Sequence, residues 1–443
     1  MSKWLKLSPP QILVLGFAAI ILAGMLLLMT PLANVSGEPL PLIDALFTAT
    51  SATCVTGLVV RDTGTHFTVF GQIVIMTLIQ IGGLGFMTMA TLFSLVLKRR
   101  ISLRDRLLLQ EAMNQNTMEG IVRLIRKVFM YSMIIEAAAA VLFTLRWAFD
   151  MPLGRAAYYG IFHAISLFNN AGFDLFGEFR SLTGYVNDPL VNFVSIFLIV
   201  SGGLGFIVLS ELVDFRRSRK LSLHSKVVLS MTGSLIIIGA AVIFIFEFTN
   251  VKTMGSLDWG GKIWSSFFQS VTSRTAGANS VDIGALRQAS QFFIIILMFI
   301  GASPGSTGGG IKTTTFTILV GAVISMIRGR NDLVMFRYRL AQERIFKAVT
   351  ITMLALFLVI AVAMVLSTTE DASFLSILFE TTSAFATVGL SMGLTMDLTD
   401  IGKVILCFMM FTGRLGPLTL AFALGPKKGK ELYRHPEGKM IIG

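Results

Sequence analysis

Four times along the chain, a short helix-forming stretch runs into a polar loop that closes on a single glycine. The loops read Thr53-Cys54-Val55-Thr56-Gly57, Phe168-Asn169-Asn170-Ala171-Gly172, Ser273-Arg274-Thr275-Ala276-Gly277 and Phe385-Ala386-Thr387-Val388-Gly389. The glycines recur at spacings of 115, 105 and 112 residues (172−57, 277−172 and 389−277). Each lies between two long apolar segments. One chain needs four such membrane–pore loop–membrane units to close a fourfold ring around a pore. The pattern predicts an all-α polytopic membrane protein, with four repeats in pseudo-fourfold arrangement around one pore per chain.

Composition agrees with this class. Of 443 residues, 54% are hydrophobic and 14% charged, against about a quarter charged in a soluble domain. Apolar runs of roughly twenty residues recur, which is the length that spans a bilayer. The net charge of +12 invites a nucleic-acid reading, but its distribution argues against one. Basic residues gather at Lys98-Arg99-Arg100 with Arg104 and Arg106, at Arg216-Arg217 with Arg219-Lys220, from Arg328 to Lys347, and at Lys427-Lys428 with Lys430. Every cluster follows the second membrane segment of a repeat, so all lie on one side, which the positive-inside rule makes cytoplasmic. The expectation is a multi-pass cell-membrane protein with cytoplasmic N- and C-termini, in contact with lipid headgroups and not with nucleic acid.

The opposite face carries Asp44, Asp62, Asp174, Glu178, Asp188, Asp282, Asp371, Asp397 and Asp400. Carboxylates around a mouth concentrate cations there. Cys54 and Cys407 are the only cysteines and suggest neither a disulfide framework nor a metal site. The apolar segment Gln11 to Thr30 lacks a convincing small-residue cleavage site and reads as a retained first helix.

The spacing divides the chain into repeat 1 (residues 1–106), repeat 2 (107–220), repeat 3 (221–340) with a broken inner helix, repeat 4 (341–425) and a cytoplasmic tail (426–443). Outer helices are predicted at about 11–31, 121–149, 226–250 and 345–368. Pore helices follow at about 40–52, 154–168, 259–273 and 371–384, too short and polar to span a bilayer unless protein buries them. Inner helices are predicted at about 68–97, 189–214, 289–327 and 401–424. Gly82-Gly83-Leu84-Gly85-Phe86 and Gly202-Gly203-Leu204-Gly205-Phe206 mark two inner helices, with Gly301 and Gly413-Arg414-Leu415-Gly416 at the matching places of the other two. Such glycines let helices approach closely or bend.

A desolvated monovalent cation needs several oxygen ligands, and backbone carbonyls supply them without a fixed charge that would trap it. Glycine allows the backbone angles that turn a carbonyl toward the axis. Each pore helix also aims its carbonyl end, partly negative, at the cavity behind the loop. The loops are therefore the candidate selectivity filter, with a cation at Gly57, Gly172, Gly277 and Gly389. Thr53, Thr56, Thr275 and Thr387 could offer hydroxyls to the ion or brace the loops. Arg274 would oppose a cation on the axis, so its side chain is expected to point behind the filter.

In repeat 3, Gly301 to Thr315 holds one proline and five glycines and cannot form regular helix. Irregular backbone at membrane depth must be buried or line a cavity. This segment, with Gly305, Gly308, Gly309, Gly310, Lys312 and Thr313, is the candidate gate, Lys312 adding repulsion of cations or reaching the cytoplasmic surface. The run lacks the GxxxxGK[ST] spacing of a phosphate loop. Arg414, alone in an apolar helix, reads either as a positive barrier below the filter or as the partner of a buried acid such as Glu380.

Taken together, Ser273-Arg274-Thr275-Ala276-Gly277, the paired Gly-Gly-Leu-Gly-Phe segments, the break in repeat 3 and Arg414 resemble the Trk/Ktr/HKT superfamily, and within it the membrane subunits of bacterial Ktr potassium uptake systems. The resemblance covers nearly the whole chain. It implies potassium-selective uptake, one filter glycine per repeat, an intramembrane gating loop at Gly301 to Thr315 and an inner-helix arginine at Arg414. Some relatives that favour sodium carry serine at the first filter position, where this chain has Gly57. The resemblance further implies a homodimer on a cytoplasmic ring of RCK-type nucleotide-binding regulatory subunits, docked on basic loops at about 98–106, 216–226 and 328–347. Potassium is then the substrate, and sodium is an activator in some members. No nucleotide fingerprint or other organic-cofactor motif stands in this chain.

The nearest rival is a cation-coupled secondary transporter with broken helices, though such folds usually show two related halves instead of four units. An enzyme is disfavoured: His66, His163, His224 and His435 are scattered, with no acid–base or metal constellation around them.

Overall fold

The computed structural model describes residues 8–85, 88–89, 121–330 and 332–424. The basic segments at 98–106 and 427–430 and the tail at 426–443 lie outside the described residues. The rest is an all-α fold of four similar units, each an outer helix, a short pore helix, a glycine loop and an inner helix.

The outer helices are Pro9–Leu28, Ile121–Trp147, Leu223–Glu247 and Gln342–Thr369. At 1.5 Å per residue even the 20-residue first helix covers about 30 Å, one hydrocarbon thickness. Their outward faces carry exposed apolar side chains such as Leu26, Ile237 and Phe357, while narrow stripes such as Ala348, Ala355, Val359, Ala363 and Leu366 are buried. A helix apolar all round, with one stripe packed on protein, suits lipid on its other face.

The pore helices are Leu42–Thr53, Leu153–Phe168, Trp259–Thr272 and Phe374–Ala386. Pro41 and Pro152 precede the first two, and Asp258 and Ser373 cap the others by accepting from the backbone N–H of Gly261 and Ser376. None is long enough to span, and the second half of each is largely buried. Phe47, Phe162, Phe168, Phe268 and Phe385 pack there with Phe143 and Trp147 of the second outer helix.

The inner helices, Val69–Leu84, Pro189–Leu204, Gln288–Phe299 and Asp400–Leu415, all end near the middle of the fold. This corrects the expectation of a break in repeat 3 alone. Gly85, Gly205 and Gly416 end the other three at φ of 83°, 92° and 85°, a region where glycine has no steric penalty. The chain then turns by 104° into Phe206–Ser218 and by 95° into Pro417–Leu424. In repeat 3 residues 300–312 intervene before a further helix, Thr313–Ile327, and a hairpin of Val334–Met335 with Tyr338–Arg339.

Non-covalent contacts join the two ends of the chain and close the ring. Asp44 on the first pore helix, nearly buried, accepts from Lys403 of the last inner helix at 2.7 Å and pairs with Arg61 at 2.8 Å. Gln11 Nε2 donates to the Ala423 carbonyl at 3.2 Å.

Candidate functional site

Each glycine loop repeats one backbone pattern. The residue two places before the glycine has a positive φ, as does the glycine itself: Val55 and Gly57 (58° and 91°), Asn170 and Gly172 (60° and 70°), Thr275 and Gly277 (86° and 75°), Thr387 and Gly389 (49° and 90°). Side chains rarely adopt this region, so four non-glycine examples at one register mark a conformation imposed by the surroundings. Alternating left-handed residues turn successive carbonyls toward the same side. The backbone N–H of Gly57 and of Gly389 donates to Ser51 Oγ and Ser383 Oγ of its own pore helix, each at 3.1 Å.

The loops meet in cyclic order. A Cβ at Gly57 would overlap the carbonyl oxygen of Ala171, one at Gly172 that of Ala276, one at Gly277 that of Val388, and one at Gly389 that of Thr56. Each glycine thus lies beside the carbonyl preceding the next glycine, and the fourth returns to the first. Glycine is required here because the neighbouring backbone fills the place of a side chain.

Around this ring the side chains divide. Thr53, Thr56 and Thr387 are buried, and their hydroxyls have no hydrogen-bond partner among the described residues. Thr275 Oγ1 meets the Asn170 amide at 3.2 Å; with the amide oxygen turned to Thr275, the nitrogen donates to the carbonyls of Leu167 and Ile199. Arg274 reaches away from the ring to the Thr232 carbonyl of the third outer helix, at 3.4 Å. Asn169 turns back toward Glu136 and Gln80. Cys54 and Ala386 are wholly buried in apolar clusters.

On the acidic face a cavity of about 190 Å³ is lined by all four glycines together with Asp62, Asp174 and Asp282. Asp174, in the loop after Gly172, has its carboxyl pushed up to about 7, first by burial and further by the nearby Asp62, against an opposing bond from the Phe176 N–H. The other carboxylates of this face do not reach the cavity. Asp44 is held in its ion pairs, Glu178 pairs with Arg180, and Asp188 with Arg146. Glu380 braces the segment after Gly389, accepting from the Met392 N–H at 3.1 Å and from the hydroxyls of Ser391 and Thr395 at 2.5 and 2.8 Å.

On the other side of the ring, inner-helix glycines pack directly on pore-helix ends. A Cβ at Gly82, Gly202 or Gly413 would overlap the carbonyl of Thr53, Phe168 or Phe385. In repeat 3 the matching Gly301 instead faces the Gly309 carbonyl of the inserted loop. That loop lies under the ring: side chains at Gly308 and Gly309 would overlap the hydroxyls of Thr275 and Thr387. It is lodged in the break of the second inner helix, where the N–H groups of Ser303 and Thr307 donate to the carbonyls of Gly203 and Gly202 at 3.0 and 3.3 Å, and the Phe206 N–H to Gly305 at 2.9 Å. Ser303 and Thr313 hydroxyls close its base at 2.9 Å.

Two cations beside this loop hold it. Lys312 Nζ folds back to the carbonyls of Gly308 and Gly309, at 2.7 and 3.3 Å, and does not make the expected reach to the surface. Arg414 donates to the carbonyls of Thr307, Gly82 and Gly83. This corrects the pairing of Arg414 with Glu380, whose carboxylate is occupied on the far side of the ring. Sequence reasoning missed Glu136, which is legible as the one acid inside the apolar run of the second outer helix, and the Asp44–Lys403 seam, whose partners lie 359 residues apart.

The sequence matches the family model TrkH, described as a cation transport protein, over residues 11–428. The chain is similar to "Ktr system potassium uptake protein B" of Bacillus subtilis, 47% identical over 100% of this chain and 98% of the relative. It is also similar to "Potassium/sodium uptake protein NtpJ" of Enterococcus hirae, 40% identical over 99% of this chain and 98% of the relative. Among solved structures, the potassium transporter TrkH of Vibrio parahaemolyticus superposes with a TM-score of 0.75 at 18% identity, covering 94% of this chain and 84% of that one.

Proposed function

Because this chain belongs to the TrkH family of cation transport proteins, we propose that it is the potassium-translocating membrane subunit of an uptake system, with the four glycine loops as its selectivity filter. The single observation that carries the reading is the cyclic order of the loops, in which each glycine abuts the carbonyl preceding the next. A ring of carbonyls replaces the water shell of potassium at a size set by backbone contacts. The buried hydroxyls of Thr56 and Thr387, without a hydrogen-bond partner among the described residues, stand ready to add oxygen ligands below it. The acidic cavity is the outer mouth, and its carboxylates raise the local cation concentration.

Residues 300–312 form the gate. Their contact with Thr275 and Thr387 supports this reading, as does the hold of Lys312 and Arg414, which would keep the loop in the path below the filter. Opening requires the loop to leave the break at Gly205. The helices beyond the breaks lie toward the basic, cytoplasmic face, where an RCK-type regulatory ring bound to a homodimer of the chain would drive that movement. The relatives' names describe uptake systems of potassium, and in one case of potassium and sodium; sodium is accordingly an activator or second cargo to test.

The test is potassium and sodium uptake in cells lacking their own potassium importers, comparing the chain with Gly57→Ser. Potassium-selective rescue that the substitution weakens places selectivity at the glycine ring. Rescue indifferent to it would remove the ring as the filter and favour a coupled transporter with broken helices.

A further inference from the structure

Glu136 lies in the second outer helix, Ile121–Trp147, and is 4% exposed. An acid buried at membrane depth is costly and is retained where it has a specific partner. No ion pair reaches Glu136 among the described residues; its partners are amides. Gln80 Nε2 of the first inner helix donates to both of its oxygens at 3.2 Å, and Asn169 Nδ2 to one of them at 3.2 Å. Asn169 follows the second pore helix directly, three residues before Gly172. Its amide also reaches Gln80 Oε1 at 2.7 Å and the Ile165 carbonyl at 2.9 Å.

The inner helix makes room for this side chain. A Cβ at Gly83 would overlap Asn169 Oδ1, while the Gly83 carbonyl accepts from Arg414 at 3.1 Å. Three elements from two repeats therefore converge on Asn169, and Gly83 continues the contact to the arginine that holds the inserted loop. In the third loop the residue at the same register, Arg274, is also tied to its own outer helix, through the Thr232 carbonyl. The chemistry differs, a carboxyl in one repeat and a guanidinium in the other, but the mechanical arrangement is the same.

We propose that Glu136 is a positioning residue for the second filter loop: through Asn169 it fixes where the carbonyls of Asn170 to Gly172 lie, and so sets the preference for potassium over sodium. The inference rests on the reading of the glycine ring as the filter. A selectivity site made of neutral carbonyls is sensitive to small displacements, because its discrimination is a difference between two similar coordination shells.

The experiment compares Glu136→Leu, Glu136→Gln and Asn169→Ala with Gly57→Ser as control, in cells lacking potassium importers. Surface amount is measured alongside the KM for potassium and the potassium-to-sodium uptake ratio. Glu136→Leu removes the acceptor and is expected to raise KM about tenfold and lower the ratio, the cost of leaving the buried amide donors of Gln80 and Asn169 short of a partner. Glu136→Gln keeps an oxygen for Asn169 and should stay within about threefold of the parent. Glu136→Leu at normal surface amount with unchanged KM and ratio overturns the proposal, as does a Gln variant no better than Leu. If the Leu variant does not reach the membrane, Asn169→Ala decides on the same two readouts. Selectivity altered by Gly57→Ser but not by these variants refutes Glu136 alone; selectivity unmoved by Gly57→Ser refutes the filter reading beneath it.

Discussion

Arg414 donates to the carbonyl of Thr307, tying the last inner helix to the loop that interrupts the third. The same guanidinium holds Gly82 and Gly83 at the end of the first inner helix. A planar cation with several fixed donors suits this task, because it satisfies carbonyls left open at a helix end and at a loop. On the gate reading proposed above, the arginine would be a clasp whose release frees the loop.

Replacing Arg414 with Ala should therefore raise the rate of potassium uptake severalfold and reduce its dependence on any cytoplasmic partner. Arg414→Lys, which keeps the charge but not the fork, should fall between. Tracer rubidium influx into proteoliposomes containing the purified chain measures this directly, and an influx no faster than the parent's would show that the arginine does not restrain the loop.

Deleting Gly308 to Gly310 should act in the same direction, since it removes the segment lying under Thr275 and Thr387. A smaller effect of the same sign is expected from Gly309→Ala, whose methyl would press on the Thr387 hydroxyl and the Ala386 carbonyl. Uptake that is unchanged or lost in a protein of normal surface amount would count against the gate.

Uptake should depend on external pH through Asp174. Its carboxyl titrates near 7 because burial and the Asp62 charge disfavour the anion. Above that pH the mouth carries the extra negative charge; below it the group is neutral, so the KM for potassium should rise as pH falls from 8 to 6. Asp174→Asn should show the high KM throughout and lose this step. A parent KM flat across the range would remove Asp174 from the path.

The seam between repeats 1 and 4 should be a stability determinant. Lys403→Met leaves Asp44 with Arg61 as its sole ionic partner among the described residues, and losing one of its two charge-assisted hydrogen bonds costs about 1.5 kcal/mol. Thermal unfolding in detergent should shift downward for Lys403→Met, and the double variant Lys403→Met with Asp44→Asn should recover part of the loss. Equal midpoints in all three proteins would mean the pair contributes nothing net.

Class, repeat number and loop positions were legible in the chain because each is local. Apolar run lengths, glycine spacing and the side bias of lysine and arginine need no knowledge of what packs on what. The glycine-rich break in repeat 3 was legible for the same reason. The breaks at Gly205 and Gly416 were not, since glycine clusters such as Gly202-Gly203-Leu204-Gly205 serve close packing of a continuous helix as well as a bend, and only the neighbours decide which. The partners of Arg414, Lys312 and Asn169 were equally out of reach of the sequence. A buried polar group takes whichever oxygens the folded chain brings within 3 Å or so. Arg414 finds carbonyls 107 to 332 residues away, Asn169 finds Gln80 and Glu136 on two other helices, and Lys312 meets its near neighbours Gly308 and Gly309 only because the loop folds back over it. The closure of the ring belongs to the same category: the residues name four glycines, but only the packing of the four units sets each beside the carbonyl of the next.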